Sequence, residues 1–485
     1  MNRFFFVFLL IILLSQASCT KDDYEGVGRS VVLTGTVTNT ETGKPIPNVV
    51  ISDGYFTTLT TENGVYFLKN HPNARHIFYS IPEEYEVPLK QGSPYFYSEI
   101  DSRYDTCVVD FKLTPLKNGI ENEFTLFCVT DTHISSTMSE NRFNKETIED
   151  IKEEIKKYPI SYGITMGDLT SNTPEYNPAV KKSFNSTKIP FFHTIGNHDF
   201  LKSKSNTIDA AVTYESDFGP INYSFNRGKV HFIVMNDILY YGNDIYKAGF
   251  TNEQLNWLRS DLNWISKDKL LIISVHIPIL DNDNFEKRED FIDIIKDFKE
   301  VHIMSGHNHR IKNIIYNKGV KIYEHITGAA SGLWWSNTVN YCGAPNGYAV
   351  YYIKDNTITN GYYKSTRFDS DYQARMYHPN TFGDTKGYVV ANVWNADPTW
   401  KIELYENGVN KGQMEQFTDY DPGIFQLLKS QNTPESSNLY KKTEHLYRLK
   451  TSNMTNPFFI KITDRFGNIY YQSNVMLNAD QLKNY

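Results

Sequence analysis

Five apolar runs in the middle third of the chain each end in residues of the kind that bind metal ions, and this repeated pattern limits the fold more than any other feature. Phe124 to Val129 leads to Asp131 and His133, Tyr162 to Met166 leads to Asp168, and Ile189 to Thr194 leads to Asn197. Leu270 to Val275 leads to His276, and Val301 to Met304 leads to His307 and His309. Continuous apolar runs bounded by glycine or polar residues read as strands buried on both faces. Open α/β sheets carry their ligands at the carboxyl edge of such strands. The five polar segments are therefore expected along one edge of one sheet.

The donor types point to a chemistry. Imidazole nitrogen with carboxylate or amide oxygen suits first-row ions such as Zn, Fe or Mn, and the five segments contain no cysteine, which argues against a closed structural zinc site. Two adjacent ions can activate water and clamp the attacking and leaving oxygens of a displacement at phosphorus. Asp168 is the natural carboxylate to bridge them. His198 follows one donor, Asn197, and precedes Asp199, a carboxylate that would raise its basicity and fix its tautomer. That suits a proton donor to a leaving alkoxide. Gly196 and Gly306 fit loops that need close backbone approach or positive φ. His193, His231 and His302 lie singly among apolar residues and read as satisfied core histidines.

In order, and over roughly residues 123 to 312, these segments resemble all five signature blocks of the calcineurin-like metallophosphoesterases. The resemblance implies a four-layer α/β/β/α core, two mixed sheets packed face to face with helices outside. It implies that Asp131, His133, Asp168 and His309 hold one metal and that Asp168, Asn197, His276 and His307 hold the other. The two ions would be divalent or trivalent, drawn from Mn, Zn, Fe or Mg. His198 would stand near the scissile phosphate with Asp199 behind it. The implied reaction is hydrolysis of a small phosphate mono- or diester by metal-activated water, with His198 assisting the leaving group.

Two departures narrow the choice. Ser/Thr protein phosphatases of this family continue the second block into Asp-Arg-Gly, whereas here Gly167-Asp168 runs into Leu169-Thr170-Ser171-Asn172. Purple acid phosphatases carry a tyrosine three residues after the bridging aspartate, and here that residue is Ser171. Phosphoserine substrates and a purple iron centre are both disfavoured.

The first 19 residues read as a signal peptide, with Asn2-Arg3, an apolar run from Phe4 to Leu14, and small residues before Cys19. The run is too short to span a membrane. It resembles a bacterial lipoprotein signal, which implies lipidation of Cys19 and outer-membrane attachment; the alternative is a soluble secreted protein. Thr20-Lys21-Asp22-Asp23 is similar to the export signal of Bacteroidetes lipoproteins and favours the cell surface over the periplasmic face. Residues 20–29 read as a linker. Cys128 is expected to be a buried thiol, and a Cys107 to Cys342 bridge is open in an oxidising compartment.

With 485 residues the chain is long enough for several domains, and its net charge of -7 argues against a nucleic-acid scaffold. Residues 30–116 alternate in strand fashion around Glu41-Thr42-Gly43-Lys44-Pro45 and Asn63-Gly64, resembling a transthyretin-type β-sandwich. This domain would either lift the catalytic domain, residues 120–324, from the membrane or bury one of its sides. Residues 325–485 read as a second β-rich domain built of runs such as Tyr348 to Ile353 and Thr357 to Tyr363. Trp334 and Trp335, soon after the last metal loop, are expected to anchor a domain interface, with stacking on a base or sugar at the pocket rim as the alternative. Helices are expected over Asn144 to Lys157 and, behind a Thr251/Gln254 capping box, Asn252 to Ile265. A rival class, a non-catalytic surface lipoprotein whose β-domains capture glycans or partners, would retain the core without turnover.

Overall fold

The computed structural model describes residues 28–380, 386–451 and 453–473, so Cys19 and the leader lie outside the described residues. Two sheets form the centre. One runs Phe191–Thr194, Ser161–Met166, Glu123–Val129, Gly347–Lys354, Thr357–Ser365. The other runs Asn222–Arg227, Val230–Met235, Leu270–Ser274, Val301–Ser305, Lys321–Ile326, Lys312–Asn317. All five apolar runs form strands, and their order within each sheet is parallel. Their placement corrects the single-edge expectation: three ligand-bearing strands lie in the first sheet and two in the second. The sheets meet face to face through aromatic pairs such as Phe192 and Phe225, stacked 3.7 Å apart.

The strands Gly347–Lys354 and Thr357–Ser365, which lie beyond residue 324, complete the first sheet. Gly347–Lys354 pairs antiparallel with Glu123–Val129, covering an edge that would otherwise expose its backbone donors and acceptors.

Helices cover the outer faces. Asn252–Leu262 starts at the expected box, in which Thr251 Oγ1 accepts from Gln254 N at 3.2 Å and Thr251 N donates to Gln254 Oε1 at 2.9 Å. The other expected helix begins earlier than residue 144: Thr137–Arg142 is capped by Ser136 and Ser139, passes through a wider turn over Phe143–Ile148 and continues as Glu149–Ile155.

The N-terminal region folds as two four-stranded sheets, one around Val32–Asn39 and one around Val50–Ser52. Its core is continuous with the central one, from Val31 through Phe78 and Phe96 to Phe192 and Trp257. Trp257 is fully buried and its Nε1–H donates to Ser52 Oγ at 3.0 Å, while Asn226 N–H donates to the Ile81 carbonyl at 2.9 Å. Of the two roles considered for this region, burial of a side of the catalytic core is the one the contacts display. Beyond residue 370, two further four-stranded antiparallel sheets enclose a separate core of Val389, Leu404, Ile460 and neighbours. Cys107, Cys128 and Cys342 are all buried free thiols, so the Cys107 to Cys342 bridge does not form.

Candidate metal centre

The loops that leave the ligand strands are held together by backbone bonds. Asp131 N–H donates to the Gly167 carbonyl and His133 N–H to the Asp168 carbonyl, each at 3.0 Å. Glycine is required where loops touch: a Cβ on Gly196 would lie 2.1 Å from Asp168 N, and one on Gly306 would lie 1.9 Å from Thr130 Oγ1. Five proposed ligands sit in left-handed backbone, namely Asp131, His133, Asp168, His307 and His309, with φ between 45° and 66°.

Two groups of donors result. Asp131, His133 and His309 converge in one, and Asp168, His276 and His307 in the other. Asp168 faces both, its Oδ2 lying 3.6 Å from His133 Nε2 and 3.2 Å from His276 Nε2. Asn197 joins the second group, with Oδ1 3.0 Å from His276 Nε2. All seven sequence-predicted ligands are therefore brought together.

The outer bonds set which nitrogen is free. His276 Nδ1–H donates to the Met166 carbonyl at 2.7 Å, and His309 Nδ1–H to the Gly332 carbonyl at 3.2 Å, so each presents Nε2 inward. His133 Nδ1 lies 3.0 Å from Ser171 Oγ. Inside, acceptors crowd one another: His133 Nε2 and His309 Nε2 are 2.9 Å apart, and buried Asp131 Oδ1 has no hydrogen-bond partner among the described residues. Lone pairs aimed at one another in a buried site call for cations between them. Burial opposes charge on His276, yet the Asp168 carboxylate beside it pushes that imidazole up to about 10. Burial would raise the Asp131 carboxyl, but the His309 charge and the proximity of the His133 and His309 imidazoles, 3.7 and 3.3 Å from Oδ1, hold it well below the usual range. Burial and the His276 charge push His307 down to about 3, and burial brings His133 to about 4.

His198 and Asp199 part company. His198 N–H donates to Asp168 Oδ1 at 2.8 Å, which fixes its backbone against the bridging carboxylate. The Asp199 carboxylate instead accepts from the N–H groups of Gly196, Thr170 and Leu169 at 2.9, 3.0 and 3.2 Å. It ties two ligand loops together and does not polarise His198, contrary to the sequence expectation; burial and the Asp168 charge push it up to about 7. The partner of His198 is Asn172, whose side-chain oxygen accepts from His198 Nδ1 at 2.7 Å and from Lys202 Nζ at 3.3 Å. Sequence neighbours suggested Asp199, whereas the functional neighbour is 26 residues away.

One more residue escaped the sequence reading. Asp237 is buried and accepts from Ile277 N–H at 2.8 Å and His276 N–H at 3.3 Å, positioning that ligand loop. A signal existed, because the apolar run Val230–Met235 ends in Asp237 just as the five ligand runs end in donors. Trp334, for which a domain interface was favoured over the pocket rim, lies over the donors, its ring centroid 3.8 Å from that of His133. Trp335 is the anchor of the pair, buried, with Nε1–H donating to the Thr132 carbonyl at 2.8 Å. His193, His231 and His302 are buried in the core; both ring nitrogens of His231 and His302 are hydrogen-bonded as expected, whereas His193 bonds through Nδ1 to Thr165 and its Nε2 has no partner among the described residues.

Family models match three consecutive stretches: the N terminal of calcineurin-like phosphoesterase at residues 31–116, calcineurin-like phosphoesterase at 124–310, and the C terminal of calcineurin-like phosphoesterase at 324–470. The chain belongs to the calcineurin-like phosphoesterases. It is a hydrolase of phosphoester bonds, from a family that binds divalent metals. A curated relative of this phosphoesterase is a probable glycerophosphodiester phosphodiesterase of Arcobacter nitrofigilis, 25% identical over 209 residues, covering 39% of this chain and 73% of the relative. Among solved structures, a dimetal phosphatase from Danio rerio aligns at TM-score 0.37 with 12% identity, covering 48% of this chain and 94% of that one. A purple acid phosphatase from yellow lupin aligns at TM-score 0.36 with 12% identity, covering 70% of each.

Proposed function

We propose that this enzyme hydrolyses a small phosphate ester, a mono- or diester, at a dinuclear centre outside the cytoplasm. Asp131, His133, Asp168 and His309 would hold one ion, and Asp168, Asn197, His276 and His307 the other. The observation that carries this reading is the position of Asp168, one carboxylate facing both donor groups. When bound, two such ions supply positive field to the phosphate oxygens and make water nucleophilic near neutral pH.

The chain's own residues do the rest. The Met166 and Gly332 carbonyls keep His276 and His309 in the tautomer that offers Nε2. His198, fixed through its backbone by Asp168 and through Nδ1 by Asn172, has Nε2 left for proton transfer. In its protonated form that nitrogen gives a proton to the departing alcohol oxygen, so the leaving group need not depart as an alkoxide. The name of the Arcobacter relative favours a diester. Attachment through a lipidated Cys19, at the cell surface in preference to the periplasmic face, would present the site to external phosphate esters.

The test uses soluble protein starting after Cys19, stripped of metal and reloaded with Mn²⁺ or Zn²⁺, on bis(p-nitrophenyl) phosphate and p-nitrophenyl phosphate. Turnover should return with metal and be lost in Asp168→Asn and strongly reduced in His198→Ala. Undiminished turnover in both variants would overturn the assignment.

A further inference from the structure

Trp334 is held over the donor groups in a way that packing alone does not explain. Its indole lies 3.8 Å from the His133 ring at 32° and 5.1 Å from the His309 ring at 26°. These two imidazoles are themselves 4.9 Å apart, so both lie toward one side of the indole. His198 meets the same indole edge-on, at 5.2 Å and 84°. Even so, Trp334 remains 41% exposed, while its neighbour Trp335 is 4% exposed.

The pose is fixed from several directions. Trp334 Nε1–H donates to Tyr341 Oη at 3.0 Å. Trp334 and Trp335 both adopt left-handed backbone, with φ of 50° and 61°, a conformation bulky residues avoid unless their surroundings impose it. Ala330 N–H donates to the Thr130 carbonyl at 2.9 Å and Ser331 N–H to the Asp131 carbonyl at 3.2 Å, stitching this segment to the first ligand loop. From beneath, Leu333 and Val339 pack on Ile424, Leu427 and Leu428, the last three from the helix Pro422–Ser430. The C-terminal region thus reaches into the site and sets this ring in place. On the far side, Tyr246 meets His307 edge-on at 6.2 Å, so aromatic groups flank both donor groups.

We propose that Trp334 determines substrate specificity, as a rigid platform for a flat aromatic ring carried by the leaving group, a nucleoside base or an aryl alcohol. This inference rests on the phosphoesterase reading and gives it a substrate class. His198 is the proton donor in that reading, so the alcohol it protonates departs beside the indole it touches. A flat ring there stacks on the exposed part of Trp334, whereas an open-chain alcohol such as glycerol has no face to offer.

The experiment compares wild type with Trp334→Ala, Trp334→Leu and Trp334→Phe on two diesters of equal charge, thymidine 5′-monophosphate p-nitrophenyl ester and glycerophosphoglycerol. Loss of stacking should lower the aryl-to-open-chain ratio of kcat/KM by about tenfold in the Ala and Leu variants, mainly through KM, with most of it restored by Phe. Calorimetric titration with phenylphosphonate and methylphosphonate reads the same preference without turnover, and the ratio of their affinities should fall by the same factor. An equal loss on both diesters with an unchanged phosphonate ratio would reduce Trp334 to a structural support and overturn the proposal, as would no change in either ratio. Absence of wild-type turnover on both diesters and on p-nitrophenyl phosphate would strike the phosphoesterase reading, while the phosphonate ratio would still decide the role of Trp334.

Discussion

Replacing Trp257 tests whether the N-terminal sandwich and the catalytic core are one cooperative unit. The indole is fully buried, belongs to the helix Asn252–Leu262, and gives its N–H to Ser52 of the N-terminal region. Truncating a buried aromatic to alanine costs about 3–5 kcal/mol, transfer and cavity terms together. Trp257→Phe keeps most of the packing and removes the donor. Ser52 Oγ still donates to the Phe56 carbonyl at 2.8 Å and accepts from Gly54 N–H at 3.0 Å, so it is not orphaned, and the expected cost is about 1–2 kcal/mol. Ser52→Ala strands the indole N–H in the core and should cost about 1–3 kcal/mol. In a double-mutant cycle the two changes should couple by about 1 kcal/mol. Urea unfolding followed by near-UV circular dichroism and by residual phosphatase activity should show both signals moving to lower urea together. The sandwich beyond residue 370 has its own core and should keep its own transition. A separate N-terminal transition untouched by Trp257→Ala would refute the single-unit argument.

Asn172→Ala should lower kcat about tenfold or more while leaving bound metal unchanged by elemental analysis, because it removes the acceptor that orients His198 and touches no proposed metal ligand. Asp199→Ala leaves three buried N–H groups without their acceptor and should cost about 3–5 kcal/mol in urea unfolding together with metal retention. Had Asp199 tuned His198, the main effect would be a displaced pH profile at normal stability. Glu324, buried and accepting from Ile279 and Leu280 N–H at 2.6 and 2.7 Å, is pushed up to about 7 by burial. Its native form binds the extra proton, so its contribution is full below about pH 4.5 and is lost as pH rises through about 7, amounting to about 3 kcal/mol. Unfolding free energies measured from pH 5 to 8 should therefore fall less steeply in Glu324→Gln than in wild type.

The strands and the ligand set were legible because both are local: an apolar run followed within a few residues by a donor is visible in one window of sequence. Assignment of those strands to two sheets was not, since Met166 and Ser274 both end fully buried runs and nothing in either run names its partner. The closing strands Gly347–Lys354 and Thr357–Ser365 look like any hairpin, and only the exposed edge of Glu123–Val129 gives them their place. Asn172 received no role, and Trp334 was set at a domain interface ahead of the pocket rim, for a related reason. Each acts on a histidine distant in sequence, and no periodicity records a contact between His133 and a ring 201 positions later.

The left-handed backbone at the ligands has an evolutionary consequence. His133, His307 and His309 each hold a conformation costing a non-glycine residue about 1 kcal/mol or more, and glycine or asparagine would adopt it with less strain. Exchange at any of these three positions would relax the main chain and dissolve the crowding of lone pairs beside it. Drift toward stability alone therefore runs downhill away from the metal centre. A chain freed from chemistry, as the glycan-capture alternative requires, would gain by losing these histidines, yet it carries all three.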